Sequence, residues 1–300
     1  MYNEKCAPSK TFEDGSCLTL ESLKSIATQY NIKNFKNKIE ISNDKAKMVK
    51  ELEKKLSDKC NDQICWINLD VVNKIDDKPI KKDIKENTFR PLGPIKKNEW
   101  LSTSDINDVI VQYQEKHKDF LFLGAVPADF EDLEVLGINN LDFADLQKEG
   151  KNKIGIVINL DVHTQGGSHW VALFIDLKKG QIYYFDSFAM KPSKKTRKFI
   201  NKVFKYIYKK KYNKDIKLNS LIKKINGGGK YKIIDDLKEF DIRYNTIQHQ
   251  FKNSECGVYS INFIVRLVGG ETFDEVTENV TKDDTMNKCR TRYFSNVNIT

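Results

Sequence analysis

The spacing of apolar residues divides the chain into a helical first part and a mixed second part. Between residues 18 and 58, apolar side chains recur every three or four positions, which predicts two amphipathic helices. Residues 68–95 are polar and include three prolines, a composition typical of a connector. We therefore predict an N-terminal helical region and connector over residues 1–95, followed by a separate domain over residues 96–300.

After residue 96, the apolar runs shorten and become rich in β-branched and aromatic residues, which predicts strands. Segments with apolar residues at helical spacing lie between and after these runs. This mixture predicts an α+β fold, with a central mixed sheet flanked by helices and an N-terminal helical region. The predicted strands are residues 119–127, 153–162, 169–177, 181–188 and 238–250, and the predicted helices begin at Ser102 or Ser104, at 191 and at 256.

Two titratable residues stand at the open end of a predicted hairpin. The segment "GGSHWVALFIDLKKGQIYYFDS", residues 166–187, turns at Lys179–Gly180, so His169 begins one strand and Asp186 ends the other. Antiparallel pairing places such ends side by side. Imidazole exchanges protons near neutral pH, and a neighbouring carboxylate orients the ring and stabilises its cation. The hairpin therefore predicts a base, His169, with an orienting acid, Asp186.

A cysteine stands where a predicted helix begins. In "QHQFKNSECGVYSINFIV", a polar loop ends at Cys256, so its thiol faces the positive end of the helix dipole. This position favours the thiolate, which is the nucleophilic form. Gly257 is expected to leave one side of the sulfur open to a substrate. Gln250, six residues earlier, offers an amide donor for an oxyanion, so the segment predicts a cysteine nucleophile.

The order of these residues resembles that of the adenain/Ulp1-type cysteine proteases. That family includes SUMO-deconjugating enzymes, the adenovirus protease and virion proteases of large DNA viruses. The resemblance covers roughly residues 95–270, and "EWLSTSDIND" is similar to the segment that enters the family's core. It is carried by His169-Trp170, Asp186-Ser187, Gln250 and Cys256-Gly257, in that order.

The resemblance implies both the activity and the roles of the site residues. Cys256 would be the nucleophile, His169 the base and Asp186 the orienting acid, while Gln250 and the Cys256 backbone N–H would hold the oxyanion. Trp170 and Trp100 would wall a narrow substrate groove that admits only small residues, so cleavage would follow glycine. The segment "CAPSKTFEDGSCLTLESLKSIATQYN" resembles the leader of proteases from large DNA viruses.

Three functions follow as hypotheses. The first is a cysteine endopeptidase that cleaves Gly-Gly-X sites in viral structural precursor proteins. The second is a deconjugase that removes ubiquitin or a ubiquitin-like protein by the same chemistry. The third, from another class, is a basic nucleic-acid-binding virion protein with a vestigial triad. No run of eighteen apolar residues and no apolar signal core is present, so we expect no membrane partner and a location in the virion and host cytoplasm.

Positive charge is concentrated in residues 191–232. This segment holds sixteen basic side chains against one acidic one, within a chain of formal net charge +9. Such a field attracts polyanions, and the alternative is a lysine-rich helix that is merely solvated. DNA is the partner we predict for it, as an activator and with no other cofactor. The expected contacts are Lys194, Lys195, Arg197 and Lys198.

The remaining cysteines and the N-terminal helices have less specific interpretations. In a reducing compartment we expect the six cysteines to be thiols and Cys289 to have no role. A zinc site formed by Cys6, Cys17, Cys60 and Cys65 is an alternative, but their spacing fits no standard ribbon. The helix–loop–helix in residues 18–58 resembles a SAP-type DNA-binding motif, although such hairpins more often only pack.

Other histidines and glycines could compete for a functional role. His163 is the rival base, but it precedes the turn "TQGG", which is expected to hold it on a loop away from Asp186. His117 and His249 are expected at the surface. Gly227–Gly229 precede no helix with Lys-Ser/Thr, which argues against a phosphate-binding loop.

Overall fold

The structure is a computed structural model that describes residues 6–8, 10–60, 63–67, 69–85, 90–215 and 240–294. The chain folds into two compact units, one of Met1–Lys97 with Lys288–Thr300 and one of Asn98–Asn287. The part of the basic segment after residue 215, including Gly227–Gly229, lies outside the described residues.

Helices build the first unit. Thr19 caps the first helix by accepting a hydrogen bond from the Ser22 N–H, and Asp44 caps the second by accepting one from the Lys47 N–H. Apolar residues of both helices form one buried cluster. The bounds are α1 Leu20–Lys33, α2 Lys45–Leu56, α3 Gln63–Trp66, α4 Asp70–Asn73 and α5 Lys78–Lys85.

The predicted connector is wrong over residues 70–85, where α4 and α5 form. Val72, Ile75 and Ile84 are buried in the same cluster as α1 and α2. Pro79 stands in the first turn of α5, where a missing backbone N–H costs nothing. A proline in the first turn of a helix therefore suggests a connector in the sequence, although it is compatible with the helix that forms there.

Disulfides also depart from expectation. Cys6 and Cys17 are bonded to each other, and Cys60 is disulfide-bonded as well. The prediction of six thiols is therefore wrong, and the four-thiolate zinc alternative loses its ligands. The Cα atoms of Cys6 and Cys17 lie 5.3 Å apart, within bridging range. The spacing of cysteines in a sequence does not show that the chain brings them this close.

A mixed sheet forms the centre of the second unit, as predicted. Its five strands lie in chain order, with parallel pairing in the first and last pairs and antiparallel pairing between them. The last strand is shorter than expected and ends before residue 245. The bounds are β1 Phe120–Val126, β2 Lys153–Asn159, β3 Trp170–Asp176, β4 Gln181–Phe185 and β5 Asp241–Tyr244.

Helices cover both faces of this sheet, which confirms the α+β prediction. On one face, Phe199 and Val203 of α8 join the buried cluster that contains Leu173. On the other, Phe263 of α9 stacks on Phe185, with ring centroids 4.9 Å apart. Cover on both faces explains why every residue of β3 is buried and why all of them except the last, Asp176, are apolar. The bounds are α6 Thr103–Lys116, α7 Phe143–Lys148, α8 Lys194–Tyr212, α9 Cys256–Val268, α10 Phe273–Thr277 and α11 Asp283–Tyr293.

Of the two serines considered as the start of α6, Ser102 is the N-cap, within a complete capping box with Asp105. Within the described ranges, every helix is too short or too polar to cross a bilayer.

Candidate active site

The β3–β4 hairpin brings His169 and Asp186 together. The last paired residues of β3 and β4 are Ala172 and Phe185. If the same register is extended beyond this pair, His169 lies opposite Phe188. The His169 ring stacks on Phe188, with centroids 4.7 Å apart. Its Nε2 atom lies 2.7 Å from Oδ1 of Asp186, and both side chains are buried. Strand pairing therefore produces a fixed imidazole–carboxylate contact.

Asp186 is held through its backbone as well as its carboxylate. Its N–H donates to Oδ1 of Asn245 at 2.8 Å, and its C=O accepts from Nδ2 of Asn245 at 2.7 Å. Oδ1 of Asp186 also accepts from the Phe188 N–H. Sequence reasoning missed Asn245. Asn245 follows directly after β5, and β5 is parallel to β4 with Tyr244 paired to Tyr184. The residue after Tyr244 is therefore expected close to the end of β4, where Asp186 lies, and this was the available signal.

Cys256 is the first residue of α9 and is buried. Its side chain interacts with the His169 imidazole strongly enough to contribute to the pKa shift of that ring. One imidazole is therefore bonded to a carboxylate and also interacts with a thiol.

The surroundings favour a charged imidazole. Burial by itself lowers the pKa of His169, but the hydrogen bond and charge of Asp186, together with the interaction with Cys256, outweigh burial and raise this pKa to about 9. The ring therefore carries its proton at neutral pH, between two groups that stabilise a cation.

Gly257 allows a close approach of Leu101. A Cβ atom at this position would lie 2.9 Å from Cβ of Leu101. The missing side chain at Gly257 therefore makes room for Leu101. Trp170 holds Leu101 in place, because its Nε1–H donates to the Leu101 C=O at 2.9 Å.

Gln250 is buried, and its amide is already bonded. Its Oε1 accepts from the Ser187 hydroxyl at 2.6 Å, and its Nε2 donates to the C=O of Lys252 at 2.6 Å. An amide NH₂ carries two hydrogens, so one N–H remains beyond the bond to Lys252. Sequence reasoning also missed the Ser187 contact that orients this amide, for which no local pattern is a signal.

Trp100 and Trp170 line the same cleft, which we call the tryptophan cleft. Its volume is about 520 Å³. Trp170 is buried, whereas 48% of Trp100 is exposed. The other lining residues are Leu101, Ser102, Thr103, Pro127, Asn159, Asp161, Val162, His163, Gln165, Gly166 and Gly167.

The other three histidines lie apart from this contact. His163 is on a loop, and its Nδ1 atom lies 2.6 Å from Oδ2 of Asp129. His249 is buried and donates from Nε2 to the Thr277 C=O, so the expected surface position is wrong. The loop after β5 turns inward beneath α10. His117 is half-buried where α6 ends, and its pKa is lowered chiefly by burial.

The four basic residues proposed for DNA stand in the first turns of α8. Lys195 pairs with Asp132 at 3.4 Å and Lys198 with Glu131 at 3.8 Å. Lys194 and Arg197 line a cavity beside them. The positive charge of these four residues is therefore partly balanced by the carboxylates of Glu131 and Asp132, which follow β1 in the chain. Groups of three His, Cys, Asp or Glu suited to a metal ion are absent from the described part of the chain.

Comparisons with known proteins agree with this fold and identify a protease family. Residues 149–298 match the C-terminal catalytic domain of the Ulp1 protease family. The chain is 34% identical to a protein of Acanthamoeba polyphaga mimivirus that is named as a thiol protease, over 97% of this chain and 93% of that protein. It is 24% identical to a cysteine protease of African swine fever virus, over 70% of this chain and 72% of that protein. A crystal structure of a protease from the same virus matches 97% of this chain and 95% of its own, with 22% identity and a TM-score of 0.55.

Proposed function

This chain belongs to the Ulp1 protease family and is a thiol protease, and from that premise we propose that Cys256 is its nucleophile, His169 its base and Asp186 the orienting acid. The observation that carries the proposal is the buried His169 ring bonded to Asp186, with its pKa raised to about 9 by Asp186 and Cys256 against the opposing effect of burial. A nucleophilic thiol needs an adjacent base to accept its proton, and His169 is the group we propose for that step.

The reaction would proceed through an acyl-enzyme. The Cys256 sulfur attacks the substrate carbonyl carbon, and the oxyanion is held by the Cys256 backbone N–H and the remaining Gln250 N–H. His169 gives its proton to the departing amine. It then takes a proton from water, which attacks the thioester and releases the acid and Cys256.

We infer that the substrate carries glycine before the scissile bond. The supporting observation is that Trp100 and Trp170, the two aromatic residues expected to wall a groove for small residues, line one cleft. Viral structural precursor proteins are the substrate class we propose, in the virion and host cytoplasm. The viral source of the similar thiol proteases supports this setting.

Deconjugation of a ubiquitin-like protein is the second candidate. It is favoured by the name of several African swine fever virus relatives, SUMO-1 cysteine protease, at 24% identity. Comparing a ubiquitin-type C-terminal reporter with a Gly-Gly-X precursor peptide separates the two, since each candidate predicts higher kcat/KM for its own substrate.

Cleavage of a fluorogenic Gly-Gly-X peptide tests the proposed nucleophile. We expect Cys256→Ala to lower kcat/KM at least about a thousandfold, as for loss of other nucleophiles. Cys289→Ala is the matched control and should keep full activity, because Cys289 carries the other thiol among the described residues. Unchanged cleavage by pure Cys256→Ala protein would refute the assignment.

The interpretation from another class, a nucleic-acid-binding protein with a vestigial triad, makes the opposite prediction. It expects no cleavage by the wild-type chain, together with DNA affinity that falls steeply with salt. DNA as an activator of a working protease would instead raise kcat/KM at low salt. Both depend on the basic face of α8.

A further inference from the structure

One face of α8 forms a basic groove outside the proposed catalytic residues. Its volume is about 640 Å³, and Glu131 and Asn139 form part of its wall. The cationic residues recur at helical spacing, so they share one face of the helix. We call this surface the α8 groove, and its cations are Lys194, Arg197, Lys198, Lys202 and Lys205.

The lining of the α8 groove also contains an unsatisfied acceptor. Asn201 is 6% exposed, and its Oδ1 atom is buried with no hydrogen-bond partner in the described part of the protein. A buried carbonyl without a donor is costly. A ligand that brings an N–H, as a peptide backbone does, would satisfy it.

The α8 groove continues toward the tryptophan cleft. A second cavity of about 410 Å³ shares Lys194, Lys198 and Glu131 with it and also includes Asp129. Asp129 in turn bonds to His163, which lines the tryptophan cleft. The three surfaces therefore follow one another along residues 127–132.

We propose that the α8 groove binds an acidic stretch of the protein substrate while another part of that substrate lies in the tryptophan cleft. This specificity surface rests on the proposed function. The cations from Lys194 to Lys205 span eleven residues of helix, about 16 Å. An extended peptide of about five residues covers this length.

The same observations favour a peptide over a nucleic acid. Lys198 is paired with Glu131 on the groove wall, and Lys195 is paired with Asp132 in the adjoining second cavity. These carboxylates would repel an uninterrupted phosphate backbone, whereas an acidic peptide can leave an uncharged residue opposite each of them. Connection to the tryptophan cleft also links the α8 groove to the chain being cleaved.

The test compares cleavage of three fluorogenic Gly-Gly-X peptides by the full chain at low salt. One peptide is untagged, one carries a run of glutamates and one carries a run of glutamines. Each tag is attached to the N-terminal or the C-terminal end of the Gly-Gly-X peptide through a Gly-Ser spacer, and the spacer length is varied. We expect the glutamate tag to raise kcat/KM about tenfold over the glutamine tag at the best spacer. Added salt should remove this gain.

Charge reversal assigns the gain to the α8 groove. Arg197→Glu with Lys198→Glu should abolish it and leave cleavage of the untagged peptide unchanged. The matched control is Lys209→Glu with Lys210→Glu, two exposed positions of α8 that do not line the groove, and it should retain most of the gain. No gain with any spacer, or equal losses for tagged and untagged peptides, would overturn the proposal.

A binding assay distinguishes failure of this surface from failure of the proposed function. Fluorescence anisotropy of the labelled glutamate peptide with Cys256→Ala protein requires no catalysis. Binding that is lost on reversal at Arg197 and Lys198 supports the surface even if no peptide is cleaved. Duplex DNA that binds there while the glutamate peptide does not would make the groove a nucleic-acid site and the proposal wrong.

Discussion

Two His–Asp pairs in the second unit share the same chemistry and nearly the same distance. His169–Asp186 and His163–Asp129 have nitrogen–oxygen separations of 2.7 and 2.6 Å. Their surroundings differ, because 9% of the His169 side chain is exposed against 52% for His163. A carboxylate contact therefore does not by itself identify a catalytic base.

What separates the pairs is burial and a third partner. His169 also interacts with Cys256, stacks on Phe188 and has a pKa raised to about 9. His163 has one nitrogen against Asp129 and lies on the wall of the tryptophan cleft. We interpret the first pair as catalytic and the second as part of the substrate-binding wall.

Replacing each histidine by alanine should give the largest difference in kcat/KM between the two pairs. We expect His169→Ala to lower kcat/KM for a Gly-Gly-X peptide about a thousandfold or more, because proton transfer and stabilisation of the thiolate are lost together. His163→Ala should change kcat by less than about threefold and act through KM, since its ring can touch substrate without moving a proton.

The reverse result, with His163→Ala inactive and His169→Ala active, would exchange the two assignments. Circular dichroism and thermal unfolding of both variants would check that neither loss is due to misfolding.

Replacing the two carboxylates should also lower kcat/KM more for the His169 pair than for the His163 pair, with a smaller difference than for the two histidines. Asp186→Asn removes the charge that stabilises the imidazolium, and we expect kcat/KM to fall about a hundredfold or more. Asp129→Asn is the matched control and should stay within about threefold. Steady-state kinetics on both variants measures this, and equal effects would contradict the distinction between the pairs.

The pH dependence should sharpen the comparison further. In the proposed mechanism His169 is the acid for the departing amine, so kcat/KM should fall above about pH 9, its raised pKa. Asp186→Asn should move this alkaline limb to lower pH, because burial still lowers the pKa and one opposing partner is gone. Asp129→Asn should leave the alkaline limb in place. If the limb moved in neither variant, the titration of His169 would not be the cause of the fall in kcat/KM.

Stability should follow the same titration. The native pKa of His169, about 9, lies above its ordinary value of 6.5, so the folded state holds the proton more tightly than the unfolded chain. The resulting stabilisation is complete below pH 6.5 and is lost as pH rises to about 9. Urea unfolding of wild type and His169→Asn should show their difference in unfolding free energy shrinking across that range.

The smallest expected effect concerns the positioning residue Asn245. Asn245→Ala removes both hydrogen bonds to the Asp186 backbone, which should cost about 1–3 kcal/mol of stability and a few-fold in kcat/KM. It should also move the alkaline limb to lower pH, which a purely structural loss would not do. The exposed Asn140→Ala is the control, and an unmoved limb would restrict Asn245 to a structural role.

The sequence carried much of this fold because its signals are local. Apolar periodicity identified the sheet and both covering helices, and the hairpin pattern predicted that His169 and Asp186 lie side by side. Their catalytic roles remain a prediction. The helix start at Cys256 was readable from the polar loop before it.

Other features depend on contacts that no local pattern in the sequence reveals. The bond between Cys6 and Cys17 and the burial of His249 follow from chain reversals that no periodicity records. The bonds of Asn245 to the Asp186 backbone and the bond of Ser187 to Gln250 join residues about sixty positions apart. Sequence patterns show residue types and spacing, and such pairs become visible only when strands are placed beside each other.

The central claim, that Cys256 activated by His169 is the reactive thiol, is tested most directly by a Gly-Gly peptide carrying a thiol-reactive electrophile. Intact mass and peptide mapping at neutral pH should show one adduct, on Cys256, with Cys289 unmodified. Adduct formation should be slowed strongly in His169→Ala and not in His163→Ala. An adduct confined to Cys289, or an equal rate in His169→Ala and wild type, would contradict the account.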